Sequence, residues 1–181
     1  MEEEAISVLS PQRVGLAPLT LVLGGARSGK SRFAESMVDG GGTYIATAEA
    51  RDAEMQARIE EHRRRRGPSW RTVEAPLDLV KALRRADEEG KPVLLDCLTI
   101  WLSNVMEDGR DVDRETARLT DCLGALDGPV VVVSNEVGQG IVPANALARR
   151  FRDHAGALNQ AVAGIADQVF FITAGIPARL K

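Results

Sequence analysis

The sequence predicts an α/β protein, a mainly parallel central sheet flanked by helices, with a phosphate-binding loop behind its first strand. Three observations lead there. Short apolar runs alternate with longer amphipathic or charged segments, and strands alternating with helices imply a parallel sheet covered on both faces. Val130–Val133 is an unbroken β-branched run, the mark of a central strand. Gly24–Ser31 reads GGARSGKS, which satisfies G-x-x-x-x-G-K-[ST].

Taken in order, residues 1–18 are charged, carry Pro11 and Pro18 and show no clear period. They are expected to form a partly disordered extension, leaving 19–181 as a single nucleotide-binding catalytic domain. Leu19–Leu23 is a short apolar run entering a glycine turn, the pattern of a buried parallel strand. Lys30–Val38 reads as a helix stopped by Asp39 and Gly40–Gly42. Thr43–Ala46 is a short strand. Asp52–Arg66 is a charged helix ended by Gly67 and Pro68, and Leu77–Glu89 a helix stopped by Gly90. Val93–Asp96 is an apolar run closed by a carboxylate. Leu98–Met106 and Asp113–Leu126 are helical. After Val130–Val133, the spacing of Leu147, Phe151, Leu158, Val162 and Ile165 predicts an amphipathic helix over 145–165. Gln168–Thr173 is expected as the last strand.

Composition narrows the function. The chain has 181 residues, 44% apolar and 27% charged, enough to bury a core in one domain. Lys plus Arg is 23 against 26 Asp plus Glu, a net charge of −3, which argues against a general nucleic-acid binder. Aromatics at 4% leave little material for stacking bases. Cys97 and Cys122 have no metal or redox spacing and read as reduced core thiols, which suits a cytoplasmic location. The acidic start and the lack of a long apolar run predict neither a signal peptide nor a transmembrane segment.

The chemistry starts at the loop. Its glycines let the backbone wrap around phosphates with N–H groups pointing inward, and the following helix adds its positive end. Lys30 supplies a charge for the outer phosphates and Ser31 a hydroxyl for magnesium. Asp96, at the end of a later strand, is the expected carboxylate partner of that metal; the alternative is a cap for the helix from Leu98, and one side chain could do both. His62 lies on the charged helix, on the face of Met55 and Ile59. It is either packed at a core edge or, with Arg58 one turn before and Arg63–Arg66 after it, placed beside phosphates. Those arginines could also simply complement a solvated helix end. His154 has no comparable setting. After the valine strand, SNEVGQGIVP delivers Asn135 and Glu136 to the carboxyl edge of the sheet, where ligands of parallel sheets bind. A structural turn with Glu136 in an ion pair is the alternative.

Several segments occur in a distinctive order. They are GGARSGKSRFAE at 24–35, YIATAEA at 44–50, EM-x-x-RI-x-x-H at 54–62, WRTVE at 70–74, LLDCLTIWLSN at 94–104, SNEVGQGIVP at 134–143 and FRDHAGALNQ at 151–160. Together they resemble the bifunctional adenosylcobinamide kinase / adenosylcobinamide-phosphate guanylyltransferase family of cobalamin biosynthesis, over roughly residues 19–181. The resemblance implies a RecA-like P-loop NTPase fold and a homotrimer. It implies two reactions: phosphorylation of adenosylcobinamide by ATP or GTP, then transfer of GMP from GTP to adenosylcobinamide phosphate. The second would pass through a guanylyl-histidine, which falls on His62. By the same resemblance Gly24, Gly25, Ala26, Arg27, Ser28, Gly29, Lys30 and Ser31 hold the triphosphate. Thr47, Ala48, Glu49, Arg63, Arg64, Arg65 and Arg66 meet the guanine nucleotide, and Glu74 and Asp96 are acidic positions at the nucleotide site. The extension at 1–18, His154 and Ala178 depart from the family pattern without touching the assigned chemistry.

Overall fold

The computed structural model describes residues 16–38, 40–50 and 53–181, and leaves the side chains of Glu54, Met55, Arg58, His62 and Arg65 outside that description. Most of the expected extension, residues 1–15, is also outside it. The element order is β1 (Leu19–Gly24), α1 (Lys30–Met37), β2 (Thr43–Ala46), α2 (Ala53–Arg66), β3 (Arg71–Glu74), α3 (Leu79–Asp87), β4 (Val93–Asp96), α4 (Leu98–Glu107), α5 (Val112–Leu123), β5 (Val130–Asn135), α6 (Ala146–Ile165), β6 (Gln168–Thr173) and β7 (Ile176–Arg179). The strands form one seven-stranded sheet in the order β3-β2-β4-β5-β1-β6-β7. All neighbours are parallel except β7, which runs antiparallel to β6. This is the expected mainly parallel P-loop sheet.

The central strands are apolar on both faces because both faces are covered. Leu19, Leu21, Leu23, Leu95, Val130 and Val132 face a core closed by residues of α3, α4, α5 and α6, among them Leu83, Trp101, Leu119 and Leu158. The alternate residues Val22, Leu94, Val131, Val133, Phe170 and Ile172 face a second core with Ala34 of α1. The strand period of two thus splits each apolar run between two layers. Both cysteines are buried and free, Cys97 in the second core and Cys122 in the first.

Order and register set the site. β5 lies between β1 and β4, with Gly24 beside Asn135 and Asp96 beside Val133. With strands about 4.8 Å apart, the ends of β1 and β4 are on the order of 10 Å apart on the same edge. Phosphates and a cation fit that span.

Two strands lie beyond those expected. Arg71–Glu74 reads as a charged segment, yet it pairs with β2 as an edge strand, where half its residues face solvent. Gln168–Thr173 is not the last strand: Ala174 and Gly175, both at positive φ, turn the chain into β7. β7 is exposed along its whole length, and an edge tolerates the missing N–H of Pro177. The alternative role for Asp96 as a helix cap is not realised, since Cys97 occupies that position in α4. No described helix is long and apolar enough to cross a membrane.

Candidate functional site

The phosphate loop is shaped by close approach. A Cβ on Gly24 would lie 2.6 Å from Ser28 Oγ and 2.7 Å from the Ile172 carbonyl. Gly29 has φ +95°, and a Cβ there would meet the Gly175 Cα at 3.2 Å. The Ser28 carbonyl accepts the Gly175 N–H at 2.8 Å, so the β6–β7 turn braces the loop. α1 starts directly at Lys30 with no side-chain cap, and its first-turn N–H groups face the loop with the positive end of the helix. Lys30 Nζ donates to the Gly25 carbonyl at 3.1 Å, which sets the ammonium over the loop it is expected to serve. Ser31 follows on the first turn of α1.

Asp96 lies at the carboxyl end of β4, half-buried, on the same sheet edge. Its Oδ2 accepts the Tyr44 hydroxyl at 3.1 Å. Burial, and then the Asp96 charge, push the Tyr44 phenol well above its usual range, so it remains a donor. Burial and then Asp96 also push the Cys97 thiol up to about 12, while the Lys30 charge is near enough to pull the other way. Lys30 and Asp96 therefore act on one neighbourhood.

Thr47 is fully buried and committed to the fold. Its Oγ1 donates to the Cys97 carbonyl at 2.8 Å and accepts the Cys97 N–H at 2.9 Å. Asn104 Nδ2 donates to the Thr47 carbonyl at 2.9 Å. Thr47 thus locks the chain after β2 to the start of α4, and Ala48 and Glu49 follow on a partly to fully exposed segment.

The arginines of α2 split. Arg63 donates to Glu74 Oε1 at 2.8 Å with both side chains largely exposed. Arg64 is exposed. Arg66 turns inward: its side chain is 3% exposed, its guanidinium carbon sits 3.4 Å from the centre of the Tyr44 ring, and Nη1 is 3.9 Å from Glu35 Oε1. His62 is carried by the backbone of α2, one turn before Arg66; its side chain and that of Arg65 lie outside the described part.

The segment after β5 meets the loop directly. Glu136 N–H donates to the Gly24 carbonyl at 3.1 Å, and the Glu136 carboxylate accepts the Gly138 N–H. Thr99 Oγ1 accepts the Asn135 N–H at 2.7 Å and Asn159 Nδ2 donates to the Asn135 carbonyl at 3.1 Å, so α4 and α6 hold this crossing in place. Ile141 and Val142 beyond it are exposed. His154 sits instead on α6, 3.9 Å from Asp113 of the α5 region, in keeping with a structural or surface role.

Tyr44, Thr99, Asn159 and Gly175 have supporting places here that sequence reasoning did not single out. Tyr44, the one tyrosine of the chain, and the Ala174–Gly175 turn signal were the available cues.

The family model described as cobinamide kinase / cobinamide phosphate guanyltransferase matches residues 20–180. The Pseudomonas aeruginosa protein named bifunctional adenosylcobalamin biosynthesis protein CobP is 50% identical over 166 residues, covering 89% of this chain and 96% of that protein. The Escherichia coli K12 protein named bifunctional adenosylcobalamin biosynthesis protein CobU is 40% identical over 180 residues, covering 90% of this chain and 99% of the relative. Among solved structures, the flagellar accessory protein FlaH of Methanocaldococcus jannaschii matches with a TM-score of 0.49 at 11% identity, covering 90% of this chain and 77% of that one.

Proposed function

This chain belongs to the cobinamide kinase / cobinamide phosphate guanyltransferase family, and from that premise we propose that it carries out both reactions on one sheet edge. In the first, the hydroxyl of the aminopropanol arm of adenosylcobinamide attacks the γ-phosphorus of ATP or GTP; the bond to the β–γ bridging oxygen breaks, ADP or GDP leaves, the hydroxyl gives up its proton, and adenosylcobinamide phosphate results. In the second, a neutral imidazole nitrogen of His62 attacks the α-phosphorus of GTP, and the bond to the leaving pyrophosphate breaks. The phosphoramidate stays activated, and the phosphate of adenosylcobinamide phosphate then takes GMP from it, giving adenosylcobinamide-GDP and free imidazole.

The observation that supports this best is the convergence at the carboxyl edge. The loop 24–31 with Lys30 follows β1, and Asp96 ends β4, with β5 between the two strands. The residues present fit magnesium, which takes oxygen donors and is usually held by one or two protein groups plus phosphates. Ser31 and Asp96 would hold it, and it would neutralise charge developing on the triphosphate. Lys30 does the same from the loop side. Gly24 to Gly29 present backbone N–H groups, and Arg63 and Arg64, on the exposed side of α2, are the arginines best placed to meet GTP. Glu74 holds Arg63 in line with them. In this reading Thr47 and Arg66 shape the site from behind, while Ala48, Glu49 and Arg65 remain nucleotide contacts by family resemblance. The remaining elements of the proposal are a corrinoid substrate, no nucleic-acid partner, a homotrimer and a cytoplasmic location.

Labelling tests the proposal. Incubation with GTP labelled at the α-phosphate should put an acid-labile, base-stable label on the protein, and GTP labelled at the γ-phosphate should not. His62→Ala should lose the label and retain phosphorylation of adenosylcobinamide. Absence of label on the unaltered protein, with kinase turnover intact, would reduce the chain to a small-molecule kinase with a structural His62.

A further inference from the structure

Among its described side chains, the helix that carries His62 has few contacts that hold it in place. Every described side chain of α2 is exposed or half-buried except one, Arg66. Gln56 donates to Glu60 within the helix itself, and the Arg63–Glu74 pair is solvent-exposed, so neither fixes the helix firmly. No apolar stripe of the described residues is buried along α2, in contrast to α3, where Leu79, Leu83 and Ala86 are all in the core.

Arg66 ends this helix inside the protein. Its guanidinium carbon lies over the Tyr44 ring, 3.4 Å from the ring centre. Glu35 of α1 approaches Nη1 at 3.9 Å. Tyr44 is itself pinned, edge-on to Trp70 with ring centres 6.4 Å apart and hydrogen-bonded to Asp96 at 3.1 Å. A desolvated cation on an aromatic face is attracted by its quadrupole, and a planar guanidinium stacks there where an ammonium cannot. The contact set runs from α2 through Tyr44 to Asp96 and through Glu35 to α1, the helix that begins at Lys30. It therefore ties the end of the histidine helix to both parts of the phosphate site.

We propose that Arg66 is a positioning residue for guanylyl transfer: stacked on Tyr44 beside Glu35, it fixes the carboxyl end of α2 and so sets where His62, one turn earlier, stands relative to the phosphate loop. This rests on the reading of His62 given above. The kinase step does not use His62, so the two activities respond differently to Arg66.

The experiment compares the unaltered protein, Arg66→Lys and Arg66→Met. Three quantities are followed: the rate of protein labelling at saturating α-labelled GTP, the GTP concentration for half-maximal labelling, and phosphorylation of adenosylcobinamide by ATP. A displaced nucleophile predicts a fall of about a hundredfold in the saturated labelling rate of both variants. The half-maximal GTP concentration should move by less than about threefold. The kinase rate, which shares the Tyr44–Asp96 contact, should fall by no more than about tenfold, well short of the labelling rate. Circular dichroism and Tm establish that the fold persists. Labelling of Arg66→Lys at the unaltered rate would overturn the inference alone. So would a loss carried mainly by a raised GTP requirement, which would make Arg66 a direct nucleotide contact, or an equal loss of both activities. Collapse of the fold in Arg66→Lys would show a general stabilising role instead and overturn it too. No label on the unaltered protein would overturn the His62 reading and this inference together.

Discussion

Lys30 acts where its position is dictated by spacing: the glycine-rich loop must end as a helix begins, and the ammonium must reach back over the loop. That is why Lys30, Ser31 and the loop glycines were legible from the residues alone, and the donation from Lys30 to Gly25 agrees with it. Lys30→Ala should reduce both phosphorylation and guanylylation by about a hundredfold or more, the usual cost of removing one transition-state charge donor. Single-turnover rates at saturating nucleotide check this, and an effect confined to one reaction would argue for two separate triphosphate sites. Asp96 was legible as a carboxylate at a strand end, but its partner was not. A bond between Tyr44 and Asp96 joins residues 52 positions apart, and only the β2–β4 register creates it. The arginines show the same limit. A run of four announces positive charge, but which one turns inward depends on what faces it. Glu35 and Tyr44 facing Arg66 come from other elements, so neither could be read from the run. Thr47 is similar: the family resemblance sets it against the guanine nucleotide, and its service to Cys97 could not be read from the residues.

Strands were readable in proportion to how apolar they are. β1, β4 and β5 are buried on two faces and stand out as runs. β3 and β7 are edges with exposed residues, and their sequence looks like loop because a strand with one neighbour needs little apolar surface. The β6–β7 turn nevertheless matters to the site, since Gly175 braces Ser28 and crowds Gly29. Gly175 sits at φ +81°, which a β-branched residue adopts only with strain, and a Cβ there would meet nothing. Gly175→Val should therefore act through the backbone. We expect it to raise the half-saturating triphosphate concentration of both reactions about tenfold, measured by initial rates against nucleotide concentration. Ala174 also has positive φ, at 51°. Ala174→Asn would create the Asn-Gly pair that such hairpin turns favour, and should stabilise the fold by up to about 1 kcal/mol, read as a higher Tm.

At the scale of the whole molecule, the two cores on either side of the sheet each enclose a thiol, and this makes stability depend on alkaline pH. Burial raises the Cys122 thiol above its ordinary range, as it does Cys97. Both are acids whose neutral form the fold prefers. Their contribution is therefore fully present below the unfolded value of about 8.5 and is lost as pH rises above it, when the unfolded chain releases protons that the native chain keeps. Tm should fall from about pH 8.5 upward, and Cys122→Ala should flatten that decline. A disulfide reagent at pH 8 should find neither thiol until denaturant is added. The overall architecture was readable because alternating strands and helices leave few options once a parallel sheet is assumed. Strand order was not, because it depends on which crossover returns to which edge, and placing β5 between the loop strand and the Asp96 strand is decided by three-dimensional packing.

The brace from Gly175 to Ser28 also bears on how the protein is handled. Among the described residues β7 has no neighbour on its outer side, and Leu180 and Lys181 are stitched to Val169 of β6. An affinity tag, a fused partner or a surface-coupling handle attached after Lys181 would pull on a hairpin whose tip touches the phosphate loop. The β6–β7 hairpin is thus a poor place for a passive attachment and a good place for a reporter: a fluorophore on β7 would sense nucleotide at the loop through the backbone of a single turn.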